Sequence, residues 1–537
     1  MKLNVLLVSN QVRGIDGAGG LGDVAYALPK ALAARDDIDI RVIMPGFENI
    51  SGIGLEDRFK KVVFPKLSVP FGKQNVNVDV CQYHLTNGAL ESPAVICYLL
   101  RHPSFDKAND TPEQAILFCR ATVEFLRFYQ GFRPDVIHCN DWHSGLIPVY
   151  LNTIYQSDPY LGRIATLYTT HNTGYGYQGA FPSQDIPTPK QKDLIQLAGL
   201  TSEQFKTNET HSVEHMTLFN FAKGGFGYAD LINTVSLNYA REIQTPAFGG
   251  GFDGLLKERS HDLCGIVDGI DTRVWDPRQD PYIAPNNYSV EQPIAAIRCS
   301  KQKIRSALSR WVDKKGSIPF VNLTSDSIMI AVVGRIADQK FPILLPILEE
   351  ICIIPRVQTL ILGSAHPLDR QGQVYAQRIT RLADKIKNQL LFYDGFDIPL
   401  SHLVFSASDI LLMPSIYEPC GLTQLIGMRY GTVPVVRGVG GLADTVTDEA
   451  SGIHANGFKF KETIEDNTEM ADISTASPIL LRTIKRAVFT MTEQPDRWNE
   501  LIVNGMSRDY SWSIPAPQYM KLYIEAVNRR IRSHFLL

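Results

Sequence analysis

Long apolar runs are missing from this chain. No stretch approaches the roughly 18 to 20 consecutive apolar residues that a helix needs to cross a bilayer, although 44% of the 537 residues are hydrophobic. That apolar content is read as the interior of soluble domains. An excess of one charge is missing too: 53 basic residues are interspersed with 56 acidic ones, for a net charge of -3. This leaves no electrostatic footprint for a nucleic acid and no polybasic segment for an anionic membrane, so any anion must be held locally. The cysteines at 81, 97, 119, 139, 264, 299, 352 and 420 form no Cys-x-x-Cys pair and no Cys/His spacing suited to zinc. Reduced thiols and no metal are expected. The stretch Met1–Ser9 is too short for the apolar part of a secretory leader and carries no cleavage site. It reads as a first strand, and the expected compartment is the cytoplasm.

What is present is a β/α rhythm, repeated twice. A chain of this length exceeds what one hydrophobic core usually organises. Runs rich in Val, Ile and Leu, each followed by a helical pattern, occur at Leu3–Ser9, Ile38–Met44, Val95–Leu99, Asp135–Cys139 and Ile164–Thr170. They read as buried parallel strands of a doubly wound sheet. After a stretch punctuated by Pro277, Pro281, Pro285 and Pro293, the rhythm restarts at Ile328–Val333, Val357–Leu362, Leu390–Tyr393, Asp409–Met413 and Val433–Val436. The fold class expected is α/β, with two Rossmann-like doubly wound domains, 1–265 and 266–511, facing a cleft. The segment 512–537 has apolar residues at helical spacing, Tyr519, Leu522, Tyr523, Ala526 and Val527, and reads as a helix returning to the first domain. Ligands of such sheets bind beyond the carboxyl ends of the strands, so the chemistry belongs in strand-to-helix loops.

The first such loop contains Gly17-Ala-Gly19-Gly20-Leu-Gly22, a formal G-x-G-x-x-G opening the helical stretch Asp23–Ala34. Glycines there let the backbone turn and present N–H groups to a phosphate. A nicotinamide dinucleotide is disfavoured: Asn10 to Asp16 separate the glycines from the first strand, and the second strand ends in Met44-Pro45, without a ribose-binding acid. A surface turn without a ligand is the plainer reading.

Further motifs follow later strands. Asp141-Trp142-His143 comes after Asp135–Cys139, and His171-Asn172 precedes a Gly-rich loop ending in Tyr177-Gln178-Gly179. The second half has Gly334-Arg335-Ile-Ala-Asp-Gln339-Lys340, Glu418-Pro419-Cys420-Gly421-Leu422-Thr423 and Gly438-Val-Gly440-Gly441-Leu-Ala-Asp444. Together these resemble the bacterial glycogen synthases and plant starch synthases, glycosyltransferase family 5, of GT-B fold. The resemblance covers nearly the whole chain and is most specific at Glu-Pro-Cys-Gly-Leu-Thr-Gln. It implies a retaining glucosyltransferase that passes glucose from ADP-glucose to the non-reducing end of an α-1,4-glucan. It implies no cofactor besides that donor, no metal, and no nucleic-acid or membrane partner.

The residues themselves suit these tasks. A departing diphosphate is stabilised by fixed positive groups, and Arg335 and Lys340 share one post-strand loop; the family clamps the diphosphate with the matching pair. The Glu418 carboxylate can accept from sugar hydroxyls or stabilise developing positive charge, or else cap the helix expected over Gly421–Gly431. By resemblance Glu418 contacts the donor glucose, while Cys420, Gly421, Leu422 and Thr423 line its pocket and Gly19, Gly20, Asp268, Gly440 and Gly441 are donor-binding. His171 ends a strand, where a ring nitrogen could reach a sugar hydroxyl or the leaving group; the matching histidine in the family lies near the donor glucose. Asp141 reads as a general base or a strand-end hydrogen bond, and the family places it by the acceptor. Phe396 occupies the position where the family stacks a ring on adenine; the plainer reading is a core phenylalanine.

The chain departs from the family pattern in places. Gly17-Ala18 stands where the family has a lysine near the donor phosphate, Asp268 replaces an asparagine before Gly-Ile-Asp271, and the loop His171–Tyr177 is longer than the family's. Losing one preorganised donor commonly costs about 10² to 10³ in rate, so reduced rate or altered acceptor handling is expected, unless another cation such as Arg13 substitutes. Alternatives are a UDP-glucose donor or another acceptor, a catalytically weakened glucan- or nucleotide-sugar-binding relative, and, with less in its favour, a phosphorylase.

Overall fold

The computed structural model describes residues 2–15, 19–47, 61–85, 94–106, 111–182, 194–206, 209–211, 217–311, 320, 322–324, 326–461 and 472–535. The chain divides into two compact units, one of Met1–Asp268 with Trp512–Leu537 and one of Gly269–Ser511. The first division thus falls three residues beyond the 265 read from sequence.

In the first unit the main sheet is built from β1 (Leu3–Val8), β2 (Ile38–Pro45), β3 (Lys61–Phe71), β4 (Gln74–Leu85), β5 (Val95–Arg101), β6 (Val136–Asn140) and β7 (Ala165–Thr170). Three short strands, β8 (Ala180–Pro182), β9 (Glu209–His211) and β10 (Thr217–Asn220), make a separate antiparallel sheet, and β11 (Leu231–Thr234) and β12 (Leu263–Gly265) complete the main one. Its order is β12-β11-β7-β6-β1-β2-β5-β4-β3. All neighbours are parallel except β5·β4 and β4·β3. Period-2 alternation sends Val5, Leu7, Val42 and Val136 into one core and Leu6, Val8, Ile43 and Ile137 into another, on opposite faces of the sheet. Burial on both faces explains why the parallel strands read as continuous apolar runs. The terminal helix Ala516–Phe535 covers the first of these cores with Tyr519, Tyr523 and Ala526, and its buried Arg530 donates to Gly162 O at 3.0 Å.

The second unit contains β13 (Ile328–Val333), β14 (Val357–Gly363), β15 (Leu390–Asp394), β16 (Ile410–Met413), β17 (Val433–Arg437) and β18 (Phe458–Phe460), ordered β15-β14-β13-β16-β17-β18 and parallel throughout. One large apolar cluster fills it. Both units have the strand order of a Rossmann-like sheet, as expected. In each, the order reverses between a first strand and a later one: β1 and β6 in the first unit, β13 and β16 in the second. The crevice at such a reversal is where doubly wound sheets bind ligands. Among the described residues, no helix is long and apolar enough to cross a membrane.

Candidate active site

Both reversal points carry the residues singled out above, as two groups, one within each unit. In the first unit Asn140 ends β6, Asp141 follows it, and His171 follows β7. Asp141 Oδ1 accepts a hydrogen bond from the His171 backbone N–H at 2.7 Å, and Asp141 N–H donates to Thr169 O at 2.9 Å. Asp141 therefore fastens two adjacent strand ends. This is the strand-end hydrogen bond that sequence left open beside the general-base role. The residue holds φ 53° and ψ -178°, a region populated almost solely by glycine and costing about 1 to 3 kcal/mol, which persists where surrounding contacts over-determine it.

The His171 ring is placed by Asn140, whose Oδ1 lies 3.1 Å from Nε2. Burial holds the His171 imidazole below the usual histidine range, against the opposing pull of the Asp141 carboxylate, so the ring is neutral at neutral pH. The loop beyond is pinned on both sides. Thr173 Oγ1 donates to Phe248 O at 2.8 Å, and Gln178 Nε2 donates to Thr173 O at 2.9 Å and Gly250 O at 2.7 Å.

The glycine loop begins the helix Gly20–Ala33, with Gly19 as its N-cap at φ 145°. A Cβ at Gly19 or Gly20 would meet no atom within 4 Å, so packing does not demand glycine at either position, although the positive φ favours it at Gly19. Gly17 and Ala18, where the missing lysine would stand, lie outside the described residues. Arg13, the substitute considered, is engaged nearby: its Nη1 lies 2.9 Å from Asp23 Oδ1 and its guanidinium 4.7 Å from the Tyr26 ring centre.

In the second unit the loops after β13 and β16 meet. Lys340 Nζ lies 2.8 Å from Glu418 Oε2, and Ser415 Oγ donates to the same oxygen at 2.8 Å. The loops are also stitched by backbone: Ile416 N–H donates to Gln339 O at 2.8 Å, and Gln339 Nε2 donates to Tyr417 O at 2.9 Å. Glu418 is only 6% exposed. Its second oxygen, Oε1, has no partner among the described residues and is not enclosed. A carboxylate with one oxygen saturated by an ammonium and a hydroxyl, and the other open, is held ready to accept from a ligand. Arg335, on the same loop, is exposed.

Gly440 and Gly441 have a packing reason. A Cβ on Gly440 would stand 1.9 Å from Glu418 O, and one on Gly441 would stand 2.1 Å from Cys420 O. Gly441 N–H donates to Glu418 O at 3.0 Å. Their bare backbones thus brace the Glu418–Cys420 loop, which a side chain would displace. The helix expected over Gly421–Gly431 is shorter, Thr423–Arg429 with Leu422 as N-cap. Gly421 (φ 72°) and Gly431 (φ 66°) take left-handed conformations that a helix interior excludes. The buried Gln424 side chain donates to Gly421 O at 2.7 Å and Cys420 O at 3.1 Å, holding the turn from within. Phe396, between β15 and the helix Ile398–Ala407, is 69% exposed, which excludes the core reading. Asp268 is buried and is the last residue of the first unit before the chain passes into the second.

Asn140, Ser415 and Gln424 are the residues that the sequence reading passed over. Each acts through a contact that the fold creates; Asn140 carried a cue in its adjacency to Asp141, and Gln424 in closing the Glu-Pro-Cys-Gly-Leu-Thr-Gln run. Among the described residues no group of three or more His, Cys, Asp or Glu side chains is arranged to hold a metal ion.

Comparison with known proteins adds three findings. Residues 4–258 match the family model "Starch synthase catalytic domain", and residues 314–471 match "Glycosyl transferases group 1". Proteins named glycogen synthase are similar end to end: that of Desulforudis audaxviator is 34% identical, covering 98% of this chain and 97% of its own, and that of Syntrophotalea carbinolica 35%, covering 98% and 99%. The catalytic domain of Starch Synthase IV from Arabidopsis thaliana, solved with ADP and acarbose, superposes with a TM-score of 0.79 at 24% identity, over 98% of this chain and 100% of that one.

Proposed function

The chain belongs to the glycogen and starch synthases, glycosyltransferases of GT-B fold that carry out glucosyl transfer in glycogen and starch synthesis, and we propose that its donor is ADP-glucose and its acceptor the non-reducing end of an α-1,4-glucan. The observation that carries this reading is the Lys340–Glu418 pair with Glu418 Oε1 open. One loop supplies an ammonium and a guanidinium, Lys340 and Arg335, for a diphosphate; the other supplies a carboxylate for glucose hydroxyls.

In the proposed reaction the bond between glucose C1 and the diphosphate oxygen breaks while a bond from the acceptor O4 forms on the same face. The acceptor proton passes to the departing phosphate oxygen. Lys340 and Arg335 stabilise the charge gathering on the diphosphate, and such preorganised charges act most strongly where water is excluded. Glu418 Oε1 accepts from the glucose and offsets positive charge developing at C1. Neutral His171 is read as a hydrogen-bond partner for a glucose hydroxyl. Phe396 stacks on the adenine, and Cys420, Gly421, Leu422 and Thr423 follow the sugar and phosphates. Asp141 stands towards the acceptor. With none of the eight cysteines in a disulfide, the reading extends to a cytoplasmic enzyme.

The glycine loop without the family lysine motivates a slower enzyme than its relatives. Parallel assays with labelled ADP-glucose and UDP-glucose on maltooligosaccharides test both parts. Preference for ADP-glucose with an α-linked product supports the donor assignment, and preference for UDP-glucose overturns it. Turnover equal to that of a relative carrying the lysine refutes the slower rate.

A further inference from the structure

Asn140 has an amide whose orientation the fold determines. Its Nδ2 faces two backbone carbonyls, Val8 O at 3.2 Å on β1 and His138 O at 3.3 Å on β6. Neither carbonyl can donate. Turning the amide over would set Oδ1 against both oxygens with no proton between them, and would leave a buried acceptor pair unsatisfied. Oδ1 is therefore the atom directed at His171 Nε2, 3.1 Å away. Because Oδ1 only accepts, Nε2 must carry the proton, and in a neutral ring Nδ1 then carries a lone pair. Nδ1 has no partner among the described residues and is not sealed in the interior. The adjacent Asp141 carboxylate holds the His171 backbone N–H at 2.7 Å, so the ring is fixed at its root as well as at its tip.

We propose that Asn140 is a positioning residue that locks His171 in the Nε2–H tautomer, so that Nδ1 accepts a hydrogen bond from a hydroxyl of the bound glucose. The lock is built at the point where the sheet order reverses, between the carbonyls of two neighbouring strands, and it needs no ligand to form. It rests on the glucosyl-donor reading for the identity of the hydroxyl, but not for the tautomer itself.

Two experiments separate the parts. Histidine ring ¹⁵N and ¹³C resonances of the intact protein, with His171 assigned by its loss in His171→Gln, report the tautomer without substrate. The Nε2–H form is expected in the wild type, and an Nδ1–H form overturns the proposal even if the enzyme uses ADP-glucose as described. Asn140→Ala is expected to give a mixture of tautomers, whereas an unchanged tautomer in a folded Asn140→Ala protein refutes the lock. Asp141→Asn, which keeps an acceptor for the His171 N–H, is expected to keep the Nε2–H form.

For the second part, kcat/KM is measured with ADP-glucose and with a set of its monodeoxy analogues. Wild type is expected to lose about tenfold with one analogue, as for one hydrogen bond. Asn140→Ala is expected to lose about tenfold with ADP-glucose and nothing further with that analogue. Additive losses for every analogue would show that Asn140 does not act through a glucose hydroxyl. Absence of any transfer from ADP-glucose would overturn the donor reading and leave the tautomer result standing.

Discussion

Acid should unfold the first unit through His138, and the size of the effect follows from its surroundings. This histidine lies on β6, fully buried, with Nδ1 2.9 Å from Tyr523 Oη on the terminal helix and Nε2 2.7 Å from Thr169 Oγ1 on β7. Both hydroxyls can accept, so protonation breaks neither hydrogen bond; the cost is that of a cation stripped of water, and nearby His171 adds to it. These push the His138 pKa from 6.5 down to about 3. The folded form therefore resists a proton that the unfolded chain takes up near 6.5. Stability is fully present above 6.5 and is lost as the pH falls towards about 3. The slope is that of one proton per molecule, so at pH 4.5 the first unit should have lost roughly 3 kcal/mol through this residue alone. His138→Gln is uncharged throughout and should escape that loss. Urea unfolding at pH 7.0, 5.5 and 4.5, followed by hydrogen exchange of β6, β7 and the terminal helix, measures the difference. Parallel stability–pH curves for wild type and His138→Gln would refute the reasoning.

Other outcomes follow from the second unit. Glu418→Gln keeps an acceptor for Ser415 but removes the charge facing Lys340, and is expected to lower kcat by about 10² to 10³, read by initial rates at saturating donor. Gly441→Ala drives a Cβ to within 2.1 Å of Cys420 O; it should lower the thermal midpoint of the second unit and raise the KM for ADP-glucose, both measurable on one preparation. Phe396→Ala should weaken ADP binding roughly tenfold by calorimetry, as for loss of one stacked base, with the fold unchanged because the ring is exposed. Lys301 is buried, with Nζ 3.1 Å from Tyr430 O and its pKa lowered by burial to about 7. From pH 7 towards 10.5 the folded lysine is neutral while the unfolded chain holds its proton, so stability should rise with pH at up to about 1.4 kcal/mol per unit. Lys301→Met should abolish that rise in denaturant titrations at pH 7 and 9.

The parallel strands were legible because burial on both faces writes them as apolar runs: Ile328–Val333 has the bounds expected, and the other expected runs differ by a residue or two at their ends. The hairpin β3–β4 was not sought among such runs. Its Val76, Val78 and Val80 alternate with Asn77 and Asp79, the pattern of a strand with one face in water. Short strands such as β11, β12 and β18 hold too few residues to establish a period. Within the site, Glu418 and Lys340 could be named from their post-strand loops, but their 2.8 Å contact joins segments 78 residues apart in sequence. Asn140 stayed hidden for the same reason, since its meaning depends on Val8 on β1, His138 on β6 and His171 just after β7. The Gly440-Gly441 pair was read as donor-binding, whereas its visible task is to let one backbone lie against another.

The central claim is that Lys340, Arg335 and Glu418 serve one nucleotide-linked glucose. Transfer of label from ADP-[¹⁴C]glucose to maltooligosaccharide, comparing wild type with Glu418→Ala and Lys340→Ala at matched folded fraction, tests it most directly. The account predicts α-1,4-elongated product from the wild type and a loss of at least a hundredfold in both variants. Undiminished transfer in either variant, or no transfer by the wild type from any nucleotide glucose, would contradict it.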